Sequence, residues 1–253
     1  MIKTGLIGNG YWGKIIGDKL DMLSDKIFVQ DKSNYDPEEF EKAEWVFIAT
    51  PAKTHFNVAK DVIEKGINVF IEKPFCTNAN QARQLISLAK ENRVHICVDN
   101  VFLYRSELLG LVPRQYKNLK FTWHKNGPFN DTLFNDLLYH DLYLLIFLIG
   151  FKKISNLFVF KNEKDIFLFS FFYGESKIII DYNRTVEGIK EKTIHADGIL
   201  IKFSGTIEED PLKKVISDCL NKEIDFELNN QINLVAMELY DILNSEIKFK
   251  NNQ

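Results

Sequence analysis

Apolar and polar residues follow two different rhythms along the chain. Ile2–Ile7 is a short apolar run closed by Gly8, and Tyr11–Leu23 then spaces Trp12, Ile15, Ile16, Leu20 and Leu23 as a helix does. A second short strand is predicted over Ile27–Val29, ending near Asp31. Trp45–Ala49 is a continuous apolar run of the kind found in strands buried on both faces. The pattern predicts a helix capped by Thr54, running through Lys65 and stopped by Gly66. A buried strand is predicted over Asn68–Ile71, a helix from Thr77 or Asn78 to about Asn92, and a strand over Val94–Val98. Strands alternating with helices of this length imply a parallel sheet with right-handed crossovers, so the chain up to about Asn100 reads as a doubly wound α/β domain.

Beyond Val101 the alternation stops. A strand is predicted over Asn118–His124 and a mostly apolar helix over Leu133–Ile149. Strand candidates follow at 154–160, 165–173, 176–183, 191–196 and 199–203. Strands in succession predict a mostly antiparallel sheet, with closing helices over Pro211–Leu220 and Ile232–Leu243. The fold class is therefore α/β, an N-terminal doubly wound parallel sheet followed by an α+β domain with an open sheet. Domains are assigned to 1–103 and 104–253. The aromatic crowd Phe167, Phe169, Phe171, Phe172 and Tyr173 leaves two options open: an apolar face covered by another subunit, or a sheet covered by its own helices.

Composition narrows the class without naming it. The chain has 253 residues, 45% hydrophobic and 26% charged, with a formal net charge of -3. That balance offers no broad basic surface for a phosphate backbone, so nucleic acid is not an expected partner. Cys76, Cys97 and Cys219 are odd in number and form no Cys-x-x-Cys pair, which suits reduced core thiols better than disulfides or zinc. No apolar run reaches the roughly 18 residues of a membrane span. With a strand at residues 2–8, no leader is expected, and the reading is a cytoplasmic protein.

Candidate chemistry gathers at strand ends. Gly8-Asn9-Gly10-Tyr11-Trp12-Gly13 lies between a predicted strand and a predicted helix, the setting a dinucleotide fingerprint needs. There glycine permits the tight turn and the close backbone approach to a pyrophosphate, which faces the helix N-terminus. Asp31, at the end of the second strand, is the expected acceptor for the adenosine ribose hydroxyls and would repel a 2′-phosphate, favouring NAD. Lys32 and Ser33 keep NADP open. Ala49-Thr50-Pro51 with His55, and Glu72-Lys73-Pro74, end two further strands on the same edge. Taken alone, Lys73 could equally be a surface lysine, and His55 could simply cap or pack against its own helix.

These segments, with Asp136 and His140 on the later helix, resemble the glucose-fructose oxidoreductase, inositol dehydrogenase and rhizopine catabolism (Gfo/Idh/MocA) family across residues 1–150. Glu72-Lys73-Pro74 is the most specific mark. The resemblance implies a Rossmann domain, an α/β domain whose open sheet serves homo-oligomerisation, and NAD or NADP as cofactor. The implied substrate is a sugar, cyclitol or sugar nucleotide. It further implies that Lys73 and His140 contact the reacting carbinol, that Asp136 assists, and that Lys73–Pro74 is cis. The chain is shorter than the family pattern, with the stretch from Lys73 to Asp136 and the second sheet both trimmed.

Removing hydride from a secondary alcohol requires a base for the hydroxyl proton and a cation or donor for the developing alkoxide. Asp136 and His140 are four apart on a predicted helix, so they share a face. On this reading Asp136 orients His140, His140 is the general base in oxidation or the acid in reduction, and Lys73 polarises the oxygen. The bland alternative is a helix cap at Asp136 and a satisfied core histidine. A metal site with Asp141 is disfavoured because Asp141 points about 100° away around the helix, and no metal is expected. Tyr104 and Arg105 are candidates for substrate contact, Arg105 through its planar fork, or for packing between domains. Besides an NAD(P)-dependent dehydrogenase, two readings remain: a dinucleotide-binding sensor or regulatory subunit without catalysis, and a reductase for a non-sugar ligand.

Overall fold

The computed structural model describes residues 1–126, 133–188, 190–203 and 210–251, of which 133–136 and 249–251 are described in backbone only. The chain forms two compact units. One comprises Met1–Val101 with Glu209–Met237, the other Phe102–Glu208 with Glu238–Gln253.

The first unit is built on strands β1 (Lys3–Ile7), β2 (Asp25–Gln30), β3 (Trp45–Ile48), β4 (Asn68–Ile71) and β5 (Ile96–Val98), with helices α1 (Tyr11–Leu23), α2 (Ala52–Glu64) and α3 (Ala79–Asn92) between them. The sheet order is β2-β1-β3-β4-β5 and every pairing is parallel. The order reverses at β1, so the ends of β1 and β3 flank the crevice where ligands of doubly wound sheets bind. Trp45–Ile48 and Val69–Ile71 are buried without a break, as expected of strands covered on both faces, and Phe47 stacks on Phe70 at 4.8 Å.

Local signals explain most helix ends. Asn78 caps α3 by accepting the Gln81 N–H, and Gly66 takes φ +76° just past α2. Thr54 does not cap α2. The helix begins earlier, at Ala52 after Pro51, and the Thr54 hydroxyl bonds back to the Pro51 carbonyl at 2.7 Å. Pro51, which has no N–H to lose, is the N-cap in place of Thr54, so the start moves by three residues.

Two later helices return to this unit. In α5 (Pro211–Leu220), capped by Asp210, the packing partner is α1, and Lys19 pairs with Asp210 at 2.5 Å. The start of α6 (Phe226–Asn251) also belongs here: Phe226 stacks on His95 at 4.4 Å, and Asn229 exchanges two hydrogen bonds with the Val98 backbone. The apolar spacing predicted α6 only over Ile232–Leu243. Its polar first turns hide the periodicity, and the signal that marks the true start is Asp225, which accepts the Leu228 N–H.

The second unit holds β6 (Asn118–Lys125), α4 (Leu133–Ile149), β7 (Ile154–Asn162), β8 (Ile166–Tyr173), β9 (Ser176–Asn183), β10 (Lys190–Ala196) and β11 (Ile199–Lys202), besides the end of α6. The sheet order is β11-β10-β6-β9-β8-β7, antiparallel except for the parallel pair β6–β9. Phe167, Phe169, Phe171 and Tyr173 alternate strictly into the core beside Ile178, Ile180 and Tyr182. Contacts join α4, apolar nearly all round, to β8, so this aromatic row belongs to the unit's own interior. The exposed apolar positions are others: Phe158, Phe160 and Leu200, at 54%, 63% and 51%.

Candidate functional site

At the carboxyl ends of β1 and β3 the backbone comes unusually close to itself. Gly8 has φ +109° and donates its N–H to the Gln30 carbonyl at 2.7 Å; a Cβ there would meet the Ala49 carbonyl at 2.5 Å. A Cβ on Gly13 would lie 1.9 Å from the Gly8 oxygen, inside any permissible contact, so the first turn of α1 can lie on the loop only with glycine there. By contrast a Cβ on Gly10 would meet nothing within 4 Å, and Gly10 supplies no side-chain cap to the α1 N-terminus, whose first turn carries no acid. Tyr11 and Trp12 are exposed, as are Asn9 and Gly10. Uncapped N–H groups over a side-chain-free shelf suit a pyrophosphate, so these residues fit a dinucleotide.

Asp31 follows β2. Its carboxylate accepts the Ser33 N–H (2.8 Å) and hydroxyl (2.6 Å), and these bonds hold its pKa below the usual carboxylate value. The group is an anion whose two oxygens suit ribose hydroxyls. Ser33 is turned to Asp31, and Lys32 is exposed beside it.

His55, exposed by 1%, bridges the next two loops, with Nε2 2.8 Å from the Thr50 carbonyl and Nδ1 2.9 Å from that of Pro74. Burial depresses its pKa despite the bonds to carbonyls, and a neutral ring donates to only one of them at a time. Its place is beneath the Thr50-Pro51 and Lys73-Pro74 loops, bracing both. The Lys73–Pro74 bond is cis.

Behind Lys73 lies a cluster of which the sequence pattern singled out Glu72 but not Asp99 or Asn100. Glu72 and Asp99 end the adjacent strands β4 and β5 and are exposed by 6% and 2%. Glu72 accepts the Lys73 N–H at 3.0 Å, and the two carboxyl groups hydrogen-bond to each other. Two ionised carboxylates cannot do so, since neither has a proton to donate. Burial, then the Glu72 charge, pushes Asp99 well above the usual carboxylate range; burial also raises Glu72, against the pull of Lys73. Of the pair, Asp99 is held the more strongly toward its neutral form. Asn100, exposed by 1%, has neither amide atom hydrogen-bonded. The available signal was a polar pair placed directly after a buried strand on the ligand edge.

In the second unit, the His140 side chain is buried on α4. Its ring stacks on Trp123 (5.9 Å, 25°), Phe102 stands edge-on at 4.7 Å, and Nδ1 lies 3.1 Å from the Tyr143 hydroxyl. Asp136 lies in α4, but its side chain falls outside the described residues. Asp141 points elsewhere, accepting from Tyr182 Oη (2.6 Å) and Trp123 Nε1 (3.2 Å), and burial raises its pKa. The Lys192 ammonium lies 3.1 Å from the Phe102 ring centre and 3.7 Å from that of Trp123, in a cation–π box facing the Asp141 charge. Arg105 grips Glu107 with both arms and lies over Phe203; Tyr104 ends the short 3-10 segment Val101–Tyr104. Among the described residues, no group of three or more His, Cys, Asp or Glu could hold a metal ion. All three cysteines are free and buried.

Residues 22–100 match the family model described as "Oxidoreductase family, NAD-binding Rossmann fold", GFO_IDH_MocA. Over those residues the chain is similar to the Gfo/Idh/MocA oxidoreductases. The matched segment, which holds β2 to β5, carries that model's NAD-binding Rossmann description. The chain is similar to UDP-N-acetylglucosamine 3-dehydrogenase of Acidithiobacillus ferrooxidans, 25% identical over 61% of this chain and 56% of the relative. It is also similar to the uncharacterized oxidoreductase YhhX of Escherichia coli, 30% identical over 66% and 55%. The chain thus spans about half the length of these curated relatives. The solved structure of the Acidithiobacillus enzyme superposes with a TM-score of 0.80 at 18% identity, covering 94% of this chain and 96% of the other. The WlbA dehydrogenase of Thermus thermophilus, in complex with NAD and alpha-ketoglutarate, gives 0.77 at 16% identity, covering 95% of each. At these identities the superpositions establish the shared fold.

Proposed function

We propose that the chain is an NAD(H)-dependent dehydrogenase or reductase acting on a secondary alcohol or ketone of a sugar, cyclitol or sugar nucleotide. The observation that carries the reading is the strand-end edge of the first unit, where a glycine shelf, an ionised Asp31 and the Glu72-Lys73-Pro74 turn coincide. The family match over residues 22–100 and the name of the Acidithiobacillus relative support the substrate class.

Bound NAD supplies the acceptor for hydride. Gly8, Asn9, Gly10, Tyr11, Trp12 and Gly13 hold its pyrophosphate through backbone N–H groups, and Asp31, with Lys32 beside it, takes the ribose. Thr50, Pro51, Glu72 and Pro74 shape the edge that His55 braces. The ionised Asp31, with Ser33 bound to it, favours NAD over NADP. Lys73 polarises the substrate oxygen, His140 takes the hydroxyl proton as hydride leaves, and Asp136 assists His140. Tyr104 and Arg105 serve the substrate. In the reverse direction His140 returns the proton to the new alkoxide.

The second reading is a dinucleotide-binding sensor or regulatory subunit without turnover. Titration by NADH fluorescence and a panel of sugars, cyclitols and nucleotide sugars followed at 340 nm separate the two. Turnover supports the enzyme; binding without turnover of any panel member supports the sensor; failure to bind either NADH or NADPH sinks both. Lys73→Ala is expected to lower kcat at least about a hundredfold while sparing NADH affinity. An unchanged rate removes Lys73 from the mechanism.

A further inference from the structure

His140 is held on three sides within its own unit: Trp123 against one face, the edge of Phe102, and the Tyr143 hydroxyl at Nδ1. Tyr143 stands one helical turn further along α4, the spacing at which side chains meet, and is fully buried. Its hydroxyl oxygen also accepts the Phe102 N–H at 3.2 Å.

We propose that Tyr143 is the positioning residue for His140: its oxygen accepts the Nδ1 proton, so that exchange with substrate is confined to Nε2. The inference rests on the dehydrogenase reading and adds to it a residue that the reading did not contain. A phenol oxygen has two acceptor sites; Phe102 N–H uses one, and the other faces Nδ1. When His140 takes the substrate proton, both ring nitrogens carry hydrogen, and a tyrosine hydrogen aimed at Nδ1 would then oppose another hydrogen. Only Nδ1–H donating to Tyr143 Oη serves both before and after the transfer. In the neutral state this leaves the lone pair on Nε2, where a base needs it; in the reverse direction the same nitrogen returns the proton. The phenol itself adds no charge; it selects the tautomer by its oxygen, beside the assistance given by Asp136.

The test is the tautomer itself. The full chain, labelled with 15N-histidine, is examined by long-range proton–nitrogen correlation at a pH where the ring is neutral, with His140→Gln assigning the signal among the five histidines. The expected result is a protonated Nδ1 and an unprotonated Nε2. Tyr143→Phe is expected to shift the population toward Nε2–H and to lower kcat roughly tenfold to a hundredfold, with KM and NADH affinity unchanged. A wild-type ring protonated at Nε2 overturns the proposal. So does a Tyr143→Phe protein with the wild-type spectrum, or with the wild-type kcat. If Tyr143→Phe fails to fold, the wild-type spectrum still decides. The spectrum requires no turnover, so a chain that reduces nothing in the panel would sink the dehydrogenase reading separately from the assignment of Nδ1.

Discussion

At the residue scale, Glu72 and Asp99 show what a strand-end cluster does to ordinary carboxyl groups. Both have folded pKa values above their unfolded ones, Asp99 by the greater margin. The folded chain therefore holds a proton that the unfolded chain releases, and its stability falls as pH rises from about 3.8, the ordinary Asp value, toward the raised folded value. Each pH unit of separation is worth about 1.4 kcal/mol. Urea unfolding at pH 5 and pH 8 is expected to find wild type less stable at pH 8, with the slope flattened in Asp99→Asn; equal slopes would contradict a protonated Asp99. Lys73 and His140 are candidates that the sequence offers by itself, Lys73 by its tripeptide and His140 by its spacing to Asp136. Asp99 and Lys192 are not, because each gains its chemistry from a neighbour on another segment that no local pattern encodes; Tyr143 stands at helical spacing from His140, but its second partner, the Phe102 N–H, is 41 positions away.

At the element scale, the joint between β1 and α1 depends on one missing side chain. Gly13→Ala would drive a methyl group into the Gly8 carbonyl at 1.9 Å, a backbone clash that no rotamer relieves. The expected result is destabilisation of about 1–3 kcal/mol by thermal or urea unfolding, together with loss of NADH fluorescence binding as α1 is pushed off the loop. A variant with native stability and affinity would remove the shelf from the cofactor site. The sequence placed this joint well, since strand, glycine turn and helix follow one another within 23 residues. It placed α6 poorly: the first turns are polar, and what holds them is Phe226 on His95 and Asn229 on Val98, partners more than 100 positions away.

At the scale of the whole molecule, the question is what covers the second sheet. Its inner aromatic row is satisfied by the unit's own core, while Phe158, Phe160 and Leu200 stand exposed. Association of copies through this sheet, expected from the family resemblance, predicts a sedimentation mass of twice the 29.5 kDa chain or more. Phe158→Ser combined with Phe160→Ser is expected to shift that mass toward the single chain. A wild-type protein that sediments as one chain would dismiss the association. Among the described residues, no helix is long and apolar enough to cross a membrane.

The sequence by itself determined the alternation of β1 to β5 with their helices, the succession of strands that follows, and the glycine turn and Glu72-Lys73-Pro74 strand end. All are written in periodicity and short motifs, within the reach of a few turns of chain. Tertiary structure alone decided that α5 and the start of α6 return to the first sheet, that burial beside Glu72 raises the Asp99 carboxyl, and that the Tyr143 hydroxyl meets both Nδ1 of His140 and the Phe102 backbone. Burial and hydrogen bonding between distant segments set those outcomes, and neither is a property of any one segment.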